Sequence, residues 1–243
     1  MFMSNLDAKE LEHFARDSSH WWDENGPFKP LHKLNPVRIE FIRDHILNHF
    51  KASDLEKLSV IDVGCGGGLV CEPLARQGAI VTGLDADENA IAVAKEHAAG
   101  QGLEISYECA LVEEVKQKYD VVLALEIIEH IPDVGAFVKS CFDICKPGGL
   151  VIFSTLNRTA KSYALGIVAA EYILRWVPQG THHWKQFVKP SELARLVRKQ
   201  DGEVREIRGM RYNPLADKFA LDARDVDVNY FLVAGKDTSA SRK

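Results

Sequence analysis

LSVIDVGCGGG, residues 58–68, decides the fold. Leu58 to Val63 is a short apolar run that stops on glycines, the pattern of a buried parallel strand turning toward a helix. Working outward, LVCEPLARQ (69–77) predicts that helix and AIVTGLD (79–85) a second strand closed by Asp85. DENAIAVAKEHAA (87–99) predicts a helix with Asp87 near its start, and LEISYEC (103–109) a third strand. YDVVLALEI (119–127) is a strongly β-branched fourth strand, followed by the helix PDVGAFVKSCFDIC (132–145), the stop KPGG (146–149) and a fifth strand LVIFSTL (150–156). Strands alternating with helices at this spacing mean βαβ units, hence an α/β, doubly wound, mostly parallel sheet. Upstream, residues 5–18 read as a short helix, and a loop rich in Trp, Gly and Pro follows. Asn35 suits an N-cap and Pro36 the first position of a helix running to Phe50. Downstream, residues 189–200 predict a helix, and residues 203–212 and 226–235 two further strands.

The chain has 243 residues, which suits one α/β domain with additions. Its net charge is -5 and no Lys/Arg-rich run stands out, so a nucleic-acid partner held through phosphate contacts is not expected. Five cysteines without a CxxC pair suggest neither a disulfide framework nor a zinc site, and fit a reducing cytoplasm. Residues 1–17 have neither the apolar core of a secretory signal nor the basic bias of a transit peptide.

The glycine spacing carries the first functional signal. A dinucleotide loop of the GxGxxG type needs glycine at 69, where Leu69 stands. The actual pattern is DxGxGxG, from Asp62 through Gly64 and Gly66 to Gly68. An acid beside the loop opposes a pyrophosphate and favours a ligand with an amino group and a sulfonium. Asp85, at the end of the next strand, can accept both ribose hydroxyls of an adenosine. VIDVGCGGGL, GLD, YDVVLALE and KPGG resemble class I S-adenosylmethionine-dependent methyltransferases over residues 58–155. The flanks are more specific. WWDENGPFKPLHKLNPVR, LEIIEHIPD, FSTLNR, AEYILRWVPQGTH, FVKPSEL and YNP…VDVNY together resemble the ubiquinone-biosynthesis O-methyltransferases, from about residue 12 to residue 236.

That resemblance implies a Rossmann-like, seven-stranded sheet whose last strand is antiparallel, and S-adenosylmethionine as cofactor. The chain reads as a single domain (1–243) with an N-terminal helical cover (1–50), a cofactor-binding core (51–157), an apolar insertion or lid (158–188), the rest of the sheet (189–236) and a tail (237–243). Carried over by motif, Arg38, Gly64, Asp85 and Leu125 would contact the cofactor, with Asp62 and Gly66 beside them. The implied substrates are 2-polyprenyl-6-hydroxyphenol and 3-demethylubiquinol, and the implied setting is the inner face of the membrane, with a ubiquinone-biosynthesis complex as a partner. A methyltransferase for another small molecule, or a silent cofactor-binding scaffold subunit, would keep the same loop.

Methyl transfer to a phenol needs the oxygen ionised. At a pKa of about 10, roughly one phenol in a thousand is ionised at pH 7, a deficit of about 4 kcal/mol. Glu126-Ile127-Ile128-Glu129-His130 follows the fourth strand, at the sheet edge where open α/β folds bind ligands. Two readings stay open. His130 takes the proton, oriented by Glu129 or Glu126, or Glu126, Glu129 and His130 hold a Mg2+ that binds the catechol oxygens. Ser162 to Val177 is apolar except for Glu171 and Arg175. As a helix it would span about 24 Å, short of the roughly 30 Å hydrocarbon core. A membrane span is therefore not expected. A helix apolar all round either packs in the protein core or, with a polyprenyl substrate held in lipid, serves as a lid (160–181) that docks on the lipid surface. The implied substrate favours the lid.

Overall fold

The computed structural model describes residues 18–164 and 184–238. The helix expected at 5–18 and most of the insertion lie outside them. The chain order is α1 (Lys29–Phe50), β1 (Ser59–Val63), α2 (Cys71–Arg76), β2 (Ile80–Asp85), α3 (Glu88–Gly100), β3 (Ser106–Cys109) and β4 (Tyr119–Leu125). Then come α4 (Val134–Ile144), β5 (Cys145–Leu156), α5 (Pro190–Arg198), β6 (Gly202–Asn213), β7 (Lys218–Asp222) and β8 (Asn229–Lys236).

Among the described residues the strands form one eight-stranded sheet in the order β3-β2-β1-β4-β5-β8-β6-β7. β1 to β5 pair in parallel, and β8 enters antiparallel between β5 and β6. The count corrects the expected seven. The addition is β7, which doubles back on β6 after the turn at residues 214–217, with Gly209 opposite Asp222 and Asn213 opposite Lys218. The segment KFALD is short, and its burial alternates only weakly, so its period of two is hard to read from sequence.

Side chains alternate between two apolar layers, as the strand pleat requires. Val60, Val121, Leu123, Leu150, Ile152, Phe231 and Val233 face α1, α2 and α3. Ile61, Val122, Ala124, Val151, Phe153, Tyr230 and Leu232 face α4 and α5. The strands between these layers are buried on both faces, so they read as continuous apolar runs.

The start of α1 is a second correction. The helix begins at Lys29, with Pro30 in its first turn, and Pro36 lies inside it. Asn35 is therefore no N-cap. Its Nδ2 donates to the Leu69 carbonyl at 2.7 Å, and its Oδ1 accepts from Arg38 Nε at 2.8 Å. Proline lacks one amide hydrogen, and packing of Leu34, Ile39, Phe41, Ile42 and Ile46 against the sheet carries the helix through that loss.

Candidate active site

The parallel register sets Asp62 beside Gly83 and Leu123, and Val63 beside Leu84 and Ala124, so β1, β2 and β4 end together. Strand order reverses at β1 and β4, which opens a crevice at the carboxyl edge. The glycine loop leaves β1 there. Gly64 and Cys65 both donate their amides to the Leu84 carbonyl, at 2.7 and 3.0 Å. Gly64 has φ +77, and a Cβ on it would lie 2.3 Å from Ile127 Cδ1, so the loop and the LEIIEH segment pack directly.

Asp85 closes β2 beneath the loop. Its Oδ2 accepts the Gly66 amide at 2.8 Å and its Oδ1 the Asp87 amide at 2.9 Å. Burial pushes its carboxyl upward, against the pull of those two amides. Each oxygen keeps a second lone pair, which leaves capacity for two hydroxyls. Asp87 caps α3 through Asn89 and receives Ser18 Oγ at 2.7 Å.

Three charged groups meet between α1 and the sheet. Arg38 is 4% exposed and Asp62 2% exposed. Burial lowers the Arg38 pKa, while Asp62 and Glu126 hold its charge. Burial pushes the Asp62 carboxyl up to about 6, with Arg38 opposing. The Cys71 thiol lies 3.6 Å from Asp62 Oδ2. A buried cation near two acids could receive a zwitterion, its carboxylate at Arg38 and its ammonium at Asp62.

β4 ends at Leu125, which is buried and pairs with Ser154. Glu126 follows at φ +54, a left-handed conformation unusual for glutamate. Its amide donates to the Ser154 carbonyl at 3.0 Å. Ser154 Oγ and Asn229 Nδ2 donate to its two oxygens, at 2.7 and 3.0 Å. Its carboxyl is pushed up, first by burial and then by Glu129. Glu129 is 3% exposed and accepts Thr155 Oγ1 at 2.7 Å. His130 ends the 3₁₀ turn Ile128–His130, its amide bonded to the Ile127 carbonyl at 2.9 Å, and is part-exposed.

The structure thus brings Arg38, Asp62, Gly64, Gly66, Asp85 and Leu125 to one edge, with Glu126, Glu129 and His130 on the turn beyond β4. It does not arrange the last three as a metal-ligand set. Among the described residues no three His, Cys, Asp or Glu side chains gather to hold a metal ion. Sequence reasoning assigned no site role to Asn35, Ser154, Thr155, Asn229 and Ser18. For Ser154 and Thr155 there was a signal: two hydroxyls at the carboxyl end of an apolar strand.

A methyltransferase-domain profile matches residues 32–207. The chain is 48% identical over 238 residues to the ubiquinone biosynthesis O-methyltransferase of Rhodopseudomonas palustris (strain BisB18), covering 95% of this chain and 93% of that one. It is 47% identical over 239 residues to the protein of the same name from Maricaulis maris (strain MCS10), covering 96% and 94%. Among solved structures it is similar to magnesium protoporphyrin IX methyltransferase from Synechocystis PCC 6803 with bound S-adenosylmethionine. There the TM-score is 0.63 at 17% identity, over 97% of this chain and 100% of that one. An S-adenosylmethionine-dependent methyltransferase from Clostridium acetobutylicum ATCC 824 gives a TM-score of 0.66 at 13% identity, over 91% and 98%. At such identities the structural likeness shows a shared fold.

Proposed function

The chain belongs to the ubiquinone biosynthesis O-methyltransferases, and from that premise we propose that this S-adenosylmethionine-dependent methyltransferase methylates a hydroxyl of 2-polyprenyl-6-hydroxyphenol and of 3-demethylubiquinol. The observation that carries the cofactor site is Arg38, buried between Asp62 and Glu126 at the edge where Asp85 also lies. These residues fit the cofactor. Asp85 would accept the ribose hydroxyls, Arg38 the methionyl carboxylate and Asp62 the ammonium, with Gly64 and Leu125 as the backbone walls. When bound, S-adenosylmethionine supplies a methyl group already activated on sulfur, so positioning provides much of the rate.

The remaining task is proton removal from the phenol. His130 stands at the rim beyond β4, part-exposed, with its backbone tied into the 3₁₀ turn. An imidazole there would take the phenolic proton as general base. A Mg2+ held by Glu126, Glu129 and His130 is the second reading, and no group of three such side chains gathers to hold an ion among the described residues. Labelled cofactor with a short-chain demethylubiquinol, assayed with and without chelator, separates the readings. Product in both arms supports His130 as the base. Activity lost on chelation and restored by Mg2+ moves the role to the cation. No product from the phenol, with cofactor still bound, makes the chain a methyltransferase for another substrate or a scaffold.

A polyprenyl tail loses roughly 0.8 kcal/mol for each methylene-sized group exposed to water, so the substrate stays in lipid and the enzyme goes to it. No helix among the described residues is long and apolar enough to cross a membrane. Tyr163 and Trp184, 50% and 37% exposed, lie edge to face at 6.4 Å on either side of residues 165–183, and such rings suit the headgroup region. Docking of residues 160–181 on lipid predicts that a Leu165→Glu, Ile173→Glu double variant loses liposome co-sedimentation while keeping activity on a water-soluble catechol. Equal lipid binding by both proteins removes the docking role.

A further inference from the structure

Two tryptophans lie across the glycine loop. The Trp21 ring stacks on Phe28 with centroids 3.7 Å apart, and its backbone carbonyl lies 2.8 Å from His32 Nε2. A Cβ on Gly66 would come within 2.3 Å of Trp21 Cζ2, and one on Gly67 within 2.4 Å of Trp21 Cβ. The packing of Trp21 therefore requires glycine at both positions. Trp22 does something more directed: its Nε1–H donates to the Gly67 carbonyl at 2.9 Å.

The Trp22 indole is itself held from behind. It stacks on the His97 imidazole at 3.5 Å with the planes 7° apart. His97 Nδ1 lies 2.5 Å from Glu72 Oε1. Glu72, on α2, is wholly buried, and its other oxygen takes Arg76 at 3.1 Å. A buried carboxylate is costly unless paired, so its presence here fixes the His97 ring from below. The relay runs from Glu72 through His97 and Trp22 to the Gly67 carbonyl. One residue earlier, the Gly66 amide meets Asp85 Oδ2.

We propose that Glu72, His97 and Trp22 are positioning residues of the cofactor site, holding the Gly66–Gly68 turn in the shape that aims the Gly66 amide at Asp85. They act while residues 18–28 lie across the loop, so this segment is a clasp over the cofactor site. The proposal rests on the reading of the glycine loop and Asp85 as that site. Neither Trp22 nor His97 needs to touch the reacting atoms.

Trp22→Phe keeps a flat ring over His97 and removes only the donor. It is compared with wild type and with Asp85→Ala, by calorimetry with S-adenosylhomocysteine, by steady-state kinetics and by thermal melting. One lost hydrogen bond at the loop weakens S-adenosylhomocysteine binding and raises the KM for S-adenosylmethionine by about fivefold. The kcat at saturating cofactor should fall less than twofold, and Asp85→Ala should lose binding outright. Unchanged affinity and KM in Trp22→Phe, with binding lost in Asp85→Ala, overturns the relay and leaves the site standing. Unchanged affinity in both overturns the site and the relay together. A parallel fall in kcat, affinity and melting temperature makes Trp22 merely structural and overturns the proposal. Should Trp22→Phe not fold, His97→Gln reads the same relay from its middle, with the same KM rise expected and an unchanged KM overturning it.

Discussion

A carboxyl group pushed up toward pH 6 beside a buried arginine gives the proposed cofactor site a testable pH dependence. Asp62 is pushed up to about 6 by burial, with Arg38 opposing. With Asp62 as the proposed partner of the ligand ammonium, cofactor affinity should be full above that value and fall as pH drops through it. Well below it the loss approaches about tenfold per pH unit. Calorimetric titration between pH 7.5 and 5 should show this trend, and Asp62→Asn should flatten it. His130→Ala should lower turnover on the order of 100-fold with little effect on cofactor binding. Part of that loss should return as pH rises toward the phenol's own pKa, and a pH-rate profile without such a return removes His130 as the base. At this scale the acids proposed for the cofactor could be picked out because DxGxGxG and a strand-terminal Asp85 are local patterns. The Trp22–Gly67 bond and the Asn229–Glu126 bond could not, since each joins residues far apart in sequence that only the folded sheet edge brings together.

At the scale of elements, the βαβ core was legible because doubly buried strands are short apolar runs, and each expected strand has a counterpart. The misreadings fell where tertiary packing overrode a local signal. Pro36 follows an asparagine and reads as a helix start, yet α1 begins at Lys29 because its apolar stripe finds the sheet early and Asn35 is needed as a side-chain bridge. β7 was missed because five residues of weak alternation gain their strand character only by pairing with β6. The loop after β7 then crosses β6 so closely that a Cβ on Gly209 would lie 1.8 Å from the Asp225 carbonyl oxygen. Backbone cannot yield as a side-chain tip does. Gly209→Ala should therefore destabilise the fold by about 3 kcal/mol, seen as a lower urea midpoint at an unchanged slope. A midpoint like that of wild type would show that the crossing loop moves aside at little cost.

For the whole molecule, the proposed cofactor contact at Arg38 would link binding to folding, because Arg38 belongs to α1 but answers to Asp62 on β1 and Glu126 beyond β4. S-adenosylhomocysteine at 100 times its Kd should stabilise the native state by about 2.7 kcal/mol. That corresponds to a rise in melting temperature of about 5–10 °C for a chain of this size. A shift that survives Arg38→Ala undiminished would place the ligand elsewhere. The same helix has another consequence, during synthesis. Phe41 of α1 stacks on Phe231 of β8 at 4.5 Å, and Ile42 and Ile46 share their layer with Leu150, Ile152 and Val233. At about 5–20 residues per second, the ribosome delivers β8 roughly 10–40 s after α1. Throughout that interval the nascent chain carries an oily helical face whose docking surface is still missing its β8 part, which makes the half-made polypeptide a natural client for a holding chaperone.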